Sequence, residues 1–215
     1  MRGFLERDLT LLLPSMKFYG VLIVVFTCIG LVSRSASDFA GLYLLLFPTV
    51  GLMSLSGYDE MNHWLAYAAA ATGGRRAMVD ARYFLTAGLS VVVFVLRFLL
   101  NLLDRSNVLA YDFFYPTGFF LQNALVFLAV FLLYGAVVLP LLFRFGATKG
   151  RLFGILAGLL AGAVSIGGMV LSTTLGAEVL GALPALLPML LPLAAAVLFL
   201  LSWLLSRRIM ANKEL

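Results

Sequence analysis

Apolar residues gather in six long runs along this chain, at roughly 18–32, 39–55, 83–103, 118–143, 152–171 and 186–205, with shorter polar stretches between them. None of the runs shows the strict two-residue alternation of a barrel strand. Backbone N–H and C=O groups in lipid find no water, so each crossing must satisfy them internally, and helices are the expected form. The pattern predicts an all-α, polytopic membrane protein with six transmembrane helices forming a single transmembrane domain over residues 1–215. The first run is short unless it borrows residues 15–17, and the second is interrupted by Pro48, which neighbouring helices accommodate.

Two polar stretches carry a pattern of their own. In residues 1–17, Leu5, Leu9, Leu12, Leu13 and Met16 follow a helical stripe opposite Glu6, Arg7, Thr10 and Lys17. That is the signature of an amphipathic helix lying in the membrane interface; a frayed leader into the first crossing is the plainer alternative. The second stretch is "SGYDEMNHWLAYAAAATGGRRAMVDARYF", residues 56–84. Acidic Asp59 and Glu60 suit a helix N-terminus, Met61, Trp64, Leu65 and Ala68 form an i, i+3, i+4, i+7 stripe, and Gly73-Gly74 ends the run. Arg75 and Arg76 then restart a helix, with Arg76 and Asp80 spaced i, i+4 and Tyr83 leading into the membrane. A plain connection needs only about 2 to 8 residues, so a structured excursion over 58–82 predicts a protein partner. The alternative is a helix resting on lipid headgroups, which Trp64 and the Arg pair also suit.

Composition agrees with the solvent that the pattern implies: 63% of residues are apolar, 12% are charged, and the mean hydropathy is +1.07. The net charge of +5 suits nucleic acid in principle, but its placement excludes that reading. Arg2, Arg7, Lys17, Arg75, Arg76, Arg82, Arg144, Lys149, Arg151, Arg207, Arg208 and Lys213 fall on one side of the predicted topology, and only Arg34, Arg97 and Arg105 on the other. The positive-inside rule therefore predicts both termini in the cytoplasm. No cleavable leader is expected, because Glu6 and Asp8 mix with the N-terminal cations. Cys28, the single cysteine, allows no intrachain disulfide.

The layout of a "FLERDL" helix, two crossings, then "DEMNHW" leading through a short helix to "RRAMVDARYF" resembles the small six-span bacterial permease subunits of type-2 ABC transporters. The resemblance implies that residues 1–17 are an elbow helix and that the helix between crossings two and three is a coupling helix docking on an ATPase subunit. It assigns Asp59, Glu60, Asn62 and Trp64 to an acidic-Trp signature, and Arg76, Val79 and Tyr83 to the return into the membrane. With the stripe and the basic pair, the ATPase-coupling set is Asp59, Glu60, Met61, Asn62, Trp64, Leu65, Ala68, Arg75 and Arg76. Family members usually carry Leu-Pro before the basic residues, where this chain has Thr72-Gly73-Gly74. The resemblance also implies two ABC ATPase copies holding ATP and Mg, a second permease that is identical or a sister chain, and a place in the bacterial cell membrane. Amphipathic or antimicrobial peptides, or similar hydrophobic cargo, are the implied load.

The chain itself is not expected to be an enzyme or to bind a cofactor directly, because the phosphate-cradling spacing G-x-x-x-x-G-K-[ST] is absent and "GATKG" at 146–150 does not supply it. His63, the sole histidine, stands beside two exposed acids, a poor metal set, so no metal is predicted. Arg97, Asn101 and Asp104 share a face of the third crossing, where Arg97 either contacts cargo, pairs with Asp104 or snorkels to the surface. Gly154, Gly158 and Gly162 recur every four residues, as in close helix packing, either at a permease dimer seam or within the subunit. Pro184, Pro188 and Pro192 predict a kinked or broken start to the sixth crossing, with "TTLGAEVLGALPALLP" supplying short re-entrant helices around Glu178. An ion-gradient-driven transporter or channel is the alternative function, weakened by the scarcity of acids within the crossings.

Overall fold

A computed structural model describes residues 2–32, 36–71, 74–107, 117–180 and 183–212. Nearly all of them are helical: α1 (Arg2–Val32), α2 (Ala36–Met61), α3 (Trp64–Ala70), α4 (Gly74–Asn107), α5 (Thr117–Leu180) and α6 (Leu183–Ala211). No strand occurs among the described residues. Three segments are long and apolar enough to cross a membrane by length and composition: Gly74–Leu100, Leu121–Gly146 and Leu190–Ala211. The remaining predicted runs, at 18–32, 39–55 and 152–171, lie within α1, α2 and α5.

At 64 residues, α5 would extend about 96 Å if straight, three times the hydrocarbon core. It is not straight. A Cβ placed on Gly150 would lie 3.3 Å from the Cα of Leu142, and one on Gly154 would lie 3.4 Å from the Tyr134 hydroxyl. In a straight helix those pairs stand about 12 and 30 Å apart. The rings of Phe145 and Phe153 likewise meet at 5.3 Å. The chain reverses at Gly146, whose φ of +80° is open to glycine and costly for other residues. Two antiparallel arms result, turning inside the basic stretch that the sequence places between crossings four and five.

Two expectations about element boundaries are corrected. Residues 1–17 do not form a separate helix, because α1 continues from Arg2 to Val32 through Pro14, whose ring merely withholds one N–H from the carbonyl of Thr10. The inward face also differs from the Leu5, Leu9, Leu12, Leu13, Met16 stripe: Asp8 and Leu12 are buried, with Phe4 and Leu11 packed beside them, while Leu9 and Leu13 are exposed. Nor do Asp59 and Glu60 begin the short helix. They close α2, which runs on to Met61 before His63 turns the chain with a left-handed φ of 50°. Asn62 supports this ending, its backbone and side-chain N–H groups both donating to the carbonyl of Tyr58. The buried face of α2 carries on past Leu55 to Asp59, which is held by Arg7 and Arg82 from elsewhere in the chain.

Two apolar clusters hold the helices together. Leu12 of α1, Leu52 and Leu55 of α2, Leu85 and Leu89 of α4 and Phe131 of α5 form one. The other joins Ala68 of α3 to Met78, Val79 and Tyr83 of α4, Leu139 and Phe143 of α5, and Phe199 and Met210 of α6. Within it, the Tyr83 hydroxyl lies 2.7 and 2.8 Å from the hydroxyls of Ser202 and Ser206, and Ser202 donates to the carbonyl of Ala136 at 2.6 Å. This satisfied polar link fixes α4 against α5 and α6.

Candidate functional site

Helix directions bring five chain segments to one end of the bundle: the start of α1, the end of α2, the start of α4, the reversal of α5 and the end of α6. Four ionised side chains meet there in an alternating ring. Arg82 donates from Nε to Asp8 at 2.6 Å and from Nη2 to Asp59 at 2.5 Å, and its Nη1 also reaches the Ser56 hydroxyl at 3.3 Å. Arg7 donates to the remaining oxygens of the same acids, to Asp59 at 2.7 Å and to Asp8 at 3.3 Å. Arg82, Asp8 and Asp59 are almost fully buried.

Two cations and two anions leave the ring neutral, and each carboxylate accepts from both guanidiniums. That completeness offsets the cost of dehydrating the charges. Asp59 stands at the C-terminus of α2, where the helix dipole disfavours an anion, so the ring also explains an acid in an unfavourable position. Beside the ring, Ser56, Asp59, Glu60, Met78, Arg82, Leu139, Leu142, Phe143 and Gly146 line a cavity of about 20 Å³, room for one water.

The short helix α3 is clipped onto this ring. The Arg7 guanidinium lies 4.1 Å from the centroid of the Trp64 ring, while Phe4 meets that ring edge-on at 6.2 Å and Tyr67 stacks on it at 5.0 Å. Ala68 is buried against α4, and the Trp64 indole nitrogen is enclosed without an acceptor among the described residues. At the chain return, Gly74 closes within a side chain's width of the Ala68 carbonyl and donates its N–H to Ala71 at 2.9 Å. Any Cβ there would collide, which explains the glycine. Thr72 and Gly73 lie outside the described residues.

The predicted coupling residues therefore divide into two sets. Trp64 and Ala68 face α1 and α4, while Met61, on the far side of the His63 turn, is 80% exposed. Asn62, His63 and Ala66 are exposed with it, as is Tyr67 at 69%. The single stripe through Met61, Trp64, Leu65 and Ala68 is thus broken by the left-handed residue, and the side chain of Leu65 lies outside the description. Glu60 turns to the α5 reversal, where it accepts from the Thr148 hydroxyl at 3.2 Å and where a Cβ on Gly146 would strike it. Arg75 donates to the Ala211 carbonyl at 3.3 Å, and Arg76 is exposed.

Asp80 does not pair with Arg76. It takes a bidentate hold on Arg207 of α6 and accepts the Trp203 indole N–H at 2.8 Å. At the opposite end of α4, Arg97 neither snorkels nor stands exposed: it is buried, donates to Asn123 at 2.8 Å and lies over the Phe127 ring. The surroundings of Asn101, Asp104, Gly158 and Gly162 lie outside the description, as do those of Glu178 and of the prolines at 184 and 188. Gly154 packs against Met53 of α2 and Tyr134 of α5 within the chain. No group of metal-ligating side chains occurs among the described residues.

The ring itself escaped the sequence reading, which treated Arg7, Asp8 and Arg82 as topology markers. A signal existed in Asp8, which interrupts the Phe4, Leu11, Leu12 face at the i+4 position.

Long apolar helices joined by ion pairs at one end define a multi-pass α-helical membrane protein. The family model described as ABC-2 family transporter protein matches residues 3–211, and the chain belongs to that family of ABC transporter membrane subunits. No curated protein and no solved structure gives a significant match.

Proposed function

We propose that this chain is the permease subunit of an ATP-driven exporter in the bacterial cell membrane, crossing it six times with both termini cytoplasmic. On this reading residues 1–17 of α1 serve as the elbow, and the region 58–82 receives force from a pair of ABC ATPase subunits that hold ATP and Mg. A second permease, identical or a sister chain, completes the path, and amphipathic or antimicrobial peptides or similar hydrophobic molecules are the cargo.

The observation that carries the proposal is the clip between α3 and the charge ring in a chain of this family. A push on α3 reaches α1 through Arg7 and Trp64, and reaches α2 and α4 through Asp59 and Arg82. Rigid-body transfer of this kind needs a short element held on one side and open on the other. The held side is Trp64 and Ala68; the open side, offered to the ATPase, is Met61, Asn62, His63, Ala66 and Tyr67. Asp59 and Glu60 brace the element rather than touching the ATPase.

The test is to purify the chain with a P-loop ATPase encoded in an adjacent reading frame and to compare Met61→Glu/Tyr67→Glu with the unaltered complex. Loss of ATPase association with unchanged thermal stability of the permease is the expected outcome. Full association and ATP turnover in the double variant would refute the docking face.

A further inference from the structure

Where the start of α4 meets the end of α6, the bundle presents cations that the ring does not use. Arg75 and Arg76 occupy the first turn of α4, a position in which the helix dipole disfavours positive charge and where no acid accompanies them. Arg207 and Arg208 lie near the end of α6, and the Arg75 contact with the Ala211 carbonyl at 3.3 Å ties the two helix ends together. Asp80 is the carboxylate of this corner among the described residues, and its oxygens are taken by Arg207 and Trp203. Arg76 and Arg208 are exposed, and neither enters an ion pair among the described residues.

Arg207 also lies over the Trp203 ring at 4.0 Å, so indole, guanidinium and carboxylate form one fixed platform where the two helices meet. Along α4, Phe84 follows Arg76 and Asp80 on the same helical face and is 63% exposed. Along α6, Leu204 and Leu205 stand one turn before Arg208 and are half exposed. A surface with cations at its end, an indole at the boundary and bare apolar side chains beyond has the polarity profile of a phospholipid.

We propose that this surface binds an anionic phospholipid, with Arg76 and Arg208 holding the headgroup phosphate, Trp203 at the glycerol level, and Phe84, Leu204 and Leu205 along the acyl chains. Charge complementarity selects the occupant: exposed Arg76 and Arg208, which enter no ion pair among the described residues, favour a headgroup with net negative charge over a zwitterionic one. The site requires only that this end of the bundle lies at a membrane surface. It therefore stands or falls separately from the ATPase reading.

The test uses the full chain carrying Trp64→Phe, so that emission comes from Trp203, reconstituted in vesicles containing phosphatidylglycerol or phosphatidylcholine brominated near the headgroup. Brominated phosphatidylglycerol should quench Trp203 at a membrane fraction about tenfold lower than brominated phosphatidylcholine, and Arg76→Gln/Arg208→Gln should abolish that preference. Both residues are exposed, and an unchanged Trp203 emission maximum without brominated lipid verifies that the fold is kept. Equal quenching by the two lipids, or a preference that survives the double substitution, would overturn the proposal.

Discussion

At the scale of single residues, Arg82 is the most consequential side chain of the described structure. It supplies two of the ring's four hydrogen bonds and a third to Ser56 from a fully buried position, and links α4 to both α1 and α2. Removing one partner of a buried pair strands the other charge, so Arg82→Ala should cost about 3–5 kcal/mol. Thermal unfolding of the purified chain in detergent checks this, and Arg2→Ala, whose partner Glu6 is exposed, should leave the midpoint almost unchanged. Gly146 is a second sensitive residue, where alanine meets both a positive φ and the Glu60 carboxylate. Gly146→Ala should lower stability by about 1–3 kcal/mol, measured the same way. Neither role was legible in the chain as written. Arg82 sits in a string that reads as topology charge, and Gly146 is one of 20 glycines, distinguished only by the direction that the backbone takes there.

At the scale of elements, the helices themselves were legible and their ends were not. Apolar runs longer than a soluble helix needs identify α4, the first arm of α5 and α6 with no knowledge of their neighbours. The boundary between α2 and α3 was misplaced because Asp59 and Glu60 resemble an N-terminal signature, whereas the long-range pairs of Asp59 with Arg7 and Arg82, and the contact of Glu60 with Thr148, let these acids close a helix instead. Such pairs link residues 52 and 23 positions apart, beyond any local pattern. The consequence for α3 is a two-sided element. Substituting Trp64 by Ala should loosen its hold on α1 without removing the exposed face, so ATPase association is expected to persist while ATP turnover uncouples from cargo movement. Parallel binding and transport measurements on one preparation distinguish the two effects.

At the scale of the whole molecule, the charges concentrate at one end because five chain segments return there, and the charge asymmetry in the sequence anticipated this grouping. Arg97 lies apart from this group: its burial against Asn123 and Phe127 gives the opposite end of α4 a buried cation. Single cysteines introduced at exposed Arg76 and Lys149, in a chain with Cys28 replaced, should react with impermeant maleimide only after the cytoplasmic face is opened. Labelling of either in intact cells would invert the topology.

The central claim is that α3 is held from within and gripped from without. A photo-crosslinking amino acid placed at Met61 or Tyr67 in the membrane-embedded complex tests it most directly. The account predicts covalent adducts with the ATPase polypeptide at both positions and none from the same probe at Phe84. Adducts with lipid alone at Met61 and Tyr67 would contradict it.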